Sequence, residues 1–121
     1  MSIPSEPNLQ LAHERLDVYQ ISIKFLALSA DAIERFPPGY SSLADQLRRA
    51  SVSIPLNIAE GNGKTGIADR KRFFSIARGS ANECGAILDA LIVLKISTPL
   101  AHREGKELLV RIVMMLTRMI R

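Results

Sequence analysis

The 121 residues carry 16 basic and 12 acidic side chains, a net charge of +4, and 47% of them are hydrophobic, which suits one domain because half of this length would be too small to bury a core. The single cysteine, Cys84, excludes an intramolecular disulfide framework. The opening residues, polar and interrupted by Pro4 and Pro7, do not read as a signal peptide, and the longest apolar stretch is far short of the roughly 20 residues that span a bilayer, so a cytoplasmic setting and no membrane partner are expected.

Residues 1–14 are expected to form a flexible arm and 15–121 a helical domain. From Leu16 to Phe36 no glycine or proline interrupts two apolar rows. One is Tyr19, Ile23, Leu26, Ala30 and Ile33; the other is Val18, Ile21, Phe25, Leu28 and Ala32. At helical spacing they cover an arc of about 220°, whereas packing one face on a core needs about 100° or somewhat more. The excess predicts a homo-oligomer, with Val18, Ile21, Phe25 and Leu28 as the first choice of interface and the other row as the alternative. Pro37, Pro38 and Gly39 then stop the helix.

Ser42 with Asp45 three residues on reads as the cap of a second helix, expected from about Leu43 to Glu60 and bent at Pro55. Gly61, Asn62, Gly63 and Gly66 read as its closing turn. A third helix is expected from about Ile67 to Ile96, with Phe73, Ala77, Ser80, Cys84, Ile87, Leu91 and Leu94 as its core row. Its small middle, including Gly79 and Gly85, predicts a close crossing with another helix, since glycine inside a helix costs about 1 kcal/mol relative to alanine. Thr98 and Pro99 form a cap and first-turn pair for a fourth helix. Four helices with short connections predict an all-α, antiparallel up-down-up-down bundle.

Charge is uneven along this frame: −3 over residues 1–47, +5 over 48–78, −2 over 79–94 and +4 over 95–121. Lys64, Arg70, Lys71, Arg72 and Arg78 concentrate positive charge where the second and third helices meet. Adjacent cations at a helix N-terminus oppose the helix dipole, and an external anion is one reason to keep them. An ordinary solvated helix face is the other reading of the same residues. With few aromatics and no Trp, contact with RNA or DNA would be to phosphates rather than by base stacking.

Other constellations give less. Gly63, Lys64 and Thr65 resemble the tail of a phosphate-binding loop, but Ile58 stands where that motif needs glycine, and a helix rather than a strand precedes it. His13 and His102 have no metal-ligand spacing, and Cys84 in an apolar row reads as a buried thiol. No cofactor, metal or catalytic set is expected, and the chain does not read as an enzyme. Glu83 falls in an apolar arc of the third helix and needs a partner there, so Arg48, Arg49, Asn57, Glu60 and Glu83 are expected to form a buried polar network.

The runs Leu47-Arg-Arg-Ala-Ser-Val-Ser-Ile-Pro-Leu-Asn-Ile-Ala-Glu-Gly61 and Phe73-Phe-Ser-Ile-Ala-Arg-Gly-Ser-Ala-Asn-Glu83, with Leu16-Asp-Val-Tyr19, resemble the four-helix bundle proteins named after the intervening sequence of bacterial 23S rRNA genes. The resemblance covers about residues 15–120. It implies an antiparallel four-helix bundle assembled into a ring-shaped homopentamer. It also implies kinship with the accessory variability protein of diversity-generating retroelements, which associates with a reverse transcriptase and nucleic acid. It supplies no catalytic residues. The expected function is a non-enzymatic oligomeric bundle that binds nucleic acid weakly through its basic surface; the alternative is a structural or protein-interaction scaffold with no nucleic-acid role.

Overall fold

The computed structural model describes residues 3, 4 and 6–121; Met1, Ser2 and Ser5 of the N-terminal arm lie outside the described residues. Among the described residues the chain forms four α-helices and no strand: α1 (Asp17–Glu34), α2 (Ser41–Gly63), α3 (Ile67–Val93) and α4 (Pro99–Ile120). Two single-turn 3-10 helices, Pro7–Leu9 and Ala12–Arg15, lead into α1. The helices pack as a bundle in which α1 and α3 each lie against both α2 and α4.

Local chemistry explains most boundaries. Asp17 places negative charge in the first turn of α1, and Gly39, at φ 96°, turns the chain after Pro37 and Pro38. Thr98 caps α4 by accepting from the Ala101 N–H at 3.2 Å. The start of α2 departs from expectation: the helix begins at Ser41, and its cap residue Tyr40 makes no side-chain cap bond. Asp45 pairs instead with Arg48 one turn on, at 2.6 Å. The end of α3 departs too. The Ile96 and Ser97 N–H groups return to the Leu91 carbonyl at 2.9 and 3.2 Å, with Lys95 at φ 61° making the left-handed step. Lysine replaces the usual glycine there, so the stop after Val93 leaves no glycine signal in the sequence.

The glycines exchange roles relative to the sequence reading. Gly61 lies inside α2 rather than in a closing turn, and a Cβ on it would stand 2.7 Å from the Phe74 ring and 3.2 Å from the Arg70 carbonyl. Gly105 is equally tight, with Leu88 Cδ1 2.6 Å from an added Cβ. Gly79 and Gly85, expected at a close crossing, are not: an added Cβ meets nothing within 4 Å at Gly79 and only Leu109 at 3.9 Å at Gly85. The close approaches are therefore α2 on α3 at Gly61 and α3 on α4 at Gly105.

The core is continuous from Val18, Ile21 and Phe25 on α1 through Leu47, Ile54 and Ile58 to Leu91, Ile112 and Leu116. Burying a side chain of this size contributes about 1.5–3 kcal/mol. This placement corrects the expected interface. Val18, Ile21 and Phe25 are 3%, 5% and 0% exposed and belong to the chain's own core, with Leu28 half-buried beside them. The second row is half-buried at Tyr19, Ile23, Leu26 and Ile33, so the wide apolar arc of α1 is largely absorbed by its contacts with α2 and α4. On α3 the core row is turned slightly from the expected one: Phe74, Ala81 and Leu88 are buried, while Phe73 and Ser80 are half-buried.

Candidate nucleic-acid interface

The five cations expected to act together divide between two places. Around the α2–α3 turn, the Lys64 ammonium lies 5.3 Å from the centre of the Phe73 ring and the Arg72 guanidinium 4.4 Å from it. Each of these cations also faces one carboxylate, Glu60 at 3.7 Å from Lys64 and Asp69 at 3.6 Å from Arg72, in exposed pairs. Such pairs are each worth at most about 1 kcal/mol and are screened by salt. Phe73, half-buried, thus acts as a platform for two cations. The apolar periodicity assigned it to the core; its neighbours Arg72 and Lys64 were the only signal of the other role.

Arg70 is a structural member of this group. Its guanidinium donates to the Asn62 and Lys64 carbonyls at 2.9 and 3.1 Å and lies over the Phe74 ring at 5.7 Å. It closes the α2–α3 turn by satisfying carbonyls that the end of α2 leaves without helical partners. Arg78 points elsewhere, donating at 3.2 Å to the Thr117 hydroxyl, which itself donates to the Val113 carbonyl at 2.7 Å. Lys71, two turns before Arg78, shares that α4-facing side of α3. The geometry therefore brings Lys64, Arg70 and Arg72 together and sets Lys71 and Arg78 around the helix from them.

The expected buried polar network is not formed. Arg48, Arg49, Glu60 and Glu83 are all exposed. Arg48 is occupied by Asp45, and Glu83 has no ion-pair partner among the described residues. Asn57 donates within its own helix, to the Ser53 carbonyl and hydroxyl at 2.8 and 3.0 Å. The reason is rotational: α2 turns Leu47, Ala50, Ser51, Ile54, Ile58 and Gly61 inward, which leaves Arg48, Arg49 and Glu60 on the outer side. Away from the turn that Arg70 closes, the polar link that crosses between α2 and α3 is short and neutral, Ser53 to Ser80 at 2.8 Å.

A second ionic group was missed in the sequence. Asp89 on α3 is bonded by His102 Nε2 at 2.8 Å and by the Lys106 ammonium at 2.9 Å, both on α4. These bonds, from His102 first and then Lys106, hold the Asp89 carboxyl below its ordinary pKa. Only the α3–α4 connection brings these residues together, so no local spacing announces them. Cys84 is fully buried, and burial, assisted by the nearby Glu83 charge, pushes its thiol up to about 12. A thiol so held is not a nucleophile at neutral pH. Among the described residues no three His, Cys, Asp or Glu side chains gather as a metal site, and no helix is long and apolar enough to cross a membrane.

The model of the family described as 23S rRNA-intervening sequence protein matches residues 14–118. A crystal structure of a protein of unknown function from the S23 ribosomal protein family of Bacteroides thetaiotaomicron is similar to the chain with a TM-score of 0.80 and 23% sequence identity, covering 86% of this chain and 98% of that one. At that identity the likeness speaks for the fold. No curated protein matches the chain in sequence.

Proposed function

The chain belongs to the 23S rRNA-intervening sequence protein family, and on that footing we propose that it is a non-enzymatic, oligomeric four-helix bundle of the cytoplasm that binds nucleic acid weakly through phosphate contacts. The observation that carries this reading is the cation group at the α2–α3 turn, where Lys64 and Arg72 flank Phe73 and are offset only by exposed carboxylates. Arg70 holds the turn in shape, and Lys71 and Arg78 extend the positive charge around α3. The up-down-up-down, antiparallel arrangement is part of the same reading. It is supported by the bonds between α3 and α4, in which Arg78, near the middle of α3, meets Thr117, late on α4, and Asp89, late on α3, meets His102, early on α4.

Self-association into a ring is also proposed, with its contact moved from α1 to α2. Leu56 is 60% exposed on the outer side of α2, in a hollow shared with Val52, Arg48 and Arg49. Repetition of the basic group by symmetry would raise the attraction for a polyanion beyond that of one subunit.

Titration of labelled RNA and DNA at several salt concentrations tests the binding. Log K is expected to fall linearly with log salt, and Lys71→Ala with Arg72→Ala to reduce that slope by about one for each phosphate no longer neutralised. Arg70 is unsuitable for this test because its removal would open the turn. Absence of binding at low salt by the folded protein would refute the reading; an unchanged slope in the double variant would refute the site.

A further inference from the structure

Between α3 and α4 runs an open groove of about 440 Å³. Its floor is Gly85, Leu109 and Val113, and its outer wall is Val110 and Met114, which are 54% and 57% exposed. Val110 and Met114 are four residues apart and present one apolar ridge on α4. A second hollow on the outer side of α4 shares Val110 and Lys106 and is edged by Arg103, Glu107 and Arg111.

Two features distinguish this surface from an ordinary half-wet helix face. Gly85 is not required by the bundle, since a Cβ there would make only an ordinary contact with Leu109 at 3.9 Å. Glycine inside a helix is less favourable than alanine, and what its missing side chain provides here is depth in the groove. The α4 edge is also of one sign beyond Glu107, while Asp89, on the α3 edge of the groove, is already paired with His102 and Lys106. From Val110 to Arg121 the chain carries Arg111, Arg118 and Arg121 and no acidic residue, and Arg111, Met114 and Arg118 follow one another at helical steps of three and four. None of these arginines has a carboxylate within ion-pair distance among the described residues, whereas Arg103 and Lys106, nearer the start of α4, are paired with Glu107 and Asp89.

We propose that the α3–α4 groove docks an acidic, amphipathic α-helix of a partner protein. A groove between two helices receives the apolar ridge of a third, spaced at i, i+3 or i+4, and i+7. Here that ridge lies over Gly85 against Val110 and Met114, and carboxylates flanking it meet Arg111 and Arg118. The charge complementarity selects the acidic partner and speeds its encounter, and the apolar wall holds it. A sugar–phosphate chain would pair with the arginines but leave the two most exposed apolar side chains of this surface in water, so the wall favours a helix over nucleic acid.

The test uses the full-length protein and a fluorescent helical peptide of about 18 residues with leucines at that spacing and glutamates on both flanks, set against the same peptide with lysines for glutamates. The glutamate peptide is expected to bind and the lysine peptide not. Val110→Ser with Met114→Ser, and separately Arg111→Glu with Arg118→Glu, should each weaken binding about tenfold or more, the scale of a central contact. Gly85→Ala carries the sharpest outcome: it should raise the melting temperature while weakening the peptide. The proposal is overturned if the glutamate peptide fails to bind at millimolar concentration, if the lysine peptide binds equally, or if Gly85→Ala leaves binding unchanged. It is likewise overturned if the serine variants alter only RNA affinity, or only the sedimentation of the protein, which would give the groove to nucleic acid or to a second copy. None of these variants touches the cation group at the α2–α3 turn, so nucleic-acid binding and helix docking stand or fall separately.

Discussion

Ser29 is 1% exposed, and its hydroxyl has no hydrogen-bond partner among the described residues. The other buried serines differ: Ser22 donates to the Tyr19 carbonyl at 2.6 Å and Ser51 to that of Arg48 at 3.2 Å. An unsatisfied buried hydroxyl costs about 1–3 kcal/mol, and alanine also has the higher helix propensity. Ser29→Ala is therefore expected to raise stability by about 1 kcal/mol in denaturant melts, and Ser22→Ala to lower it or leave it nearly unchanged; a destabilised Ser29→Ala would show that the hydroxyl is satisfied. At Asp89 the residue scale sets a pH dependence. Its folded pKa is depressed by His102 and Lys106, so its contribution is present above the ordinary aspartate value of 3.8 and is lost as pH falls through the lower folded value. The stability difference between the wild-type protein and Asp89→Asn should thus be seen at neutral pH, shrink at high salt because the carboxylate is exposed, and vanish in acid below that value. A difference that persists undiminished in strong acid would assign the effect to packing instead.

Among the elements, glycine discriminates between a helix that must be approached closely and one that is not. At Gly61 an added methyl would meet the Phe74 ring at 2.7 Å and the Arg70 carbonyl at 3.2 Å, and backbone cannot swing aside as a side-chain end can. Gly61→Ala is expected to destabilise by about 1–3 kcal/mol, the usual cost of overpacking. Gly79 has open space, so Gly79→Ala should stabilise by about 0.5–1 kcal/mol through helix propensity alone. Chemical denaturation of the two variants reads both signs, and equal effects would refute the assignment of the α2–α3 crossing to Gly61. The same argument explains why a small-residue run in the middle of α3 was misleading: composition marks where a close approach is possible, and only the opposing helix decides whether it happens.

At the scale of the whole molecule, function turns on what its surfaces meet. The apolar arc of α1 predicted a neighbour, and the bundle itself takes up most of that arc, with Phe25 0% exposed. Self-association through α2 leads to a pair of expectations for sedimentation. The wild-type protein should sediment with a mass above the 13.3 kDa of one chain, and Leu56→Asp should return it to that mass while leaving it folded. Phe25→Asp should instead unfold the chain, because it places an unpaired charge in a closed core at a cost of several kcal/mol. Dissociation without unfolding in Phe25→Asp, or a wild-type protein that stays at one chain, would remove the α2 contact and the ring with it.

The sequence by itself determined the number of helices, the stop of α1 at Pro37-Pro38-Gly39, the start of α4 at Thr98-Pro99, the family, and the concentration of cations near residues 64–78. Each of these is encoded locally, in periodicity, caps, breakers or motif. Tertiary structure decided the rotation of each helix about its axis. That rotation turns Val18, Ile21 and Phe25 inward, leaves Arg49 and Glu83 in solvent, and sends Arg78 to Thr117 rather than to the cluster at Phe73. Periodicity states which residues share a face but not which of two apolar faces the core will take. That choice is made by contacts between residues far apart in the chain, such as Gly61 with Phe74, Gly105 with Leu88, and Asp89 with His102 and Lys106.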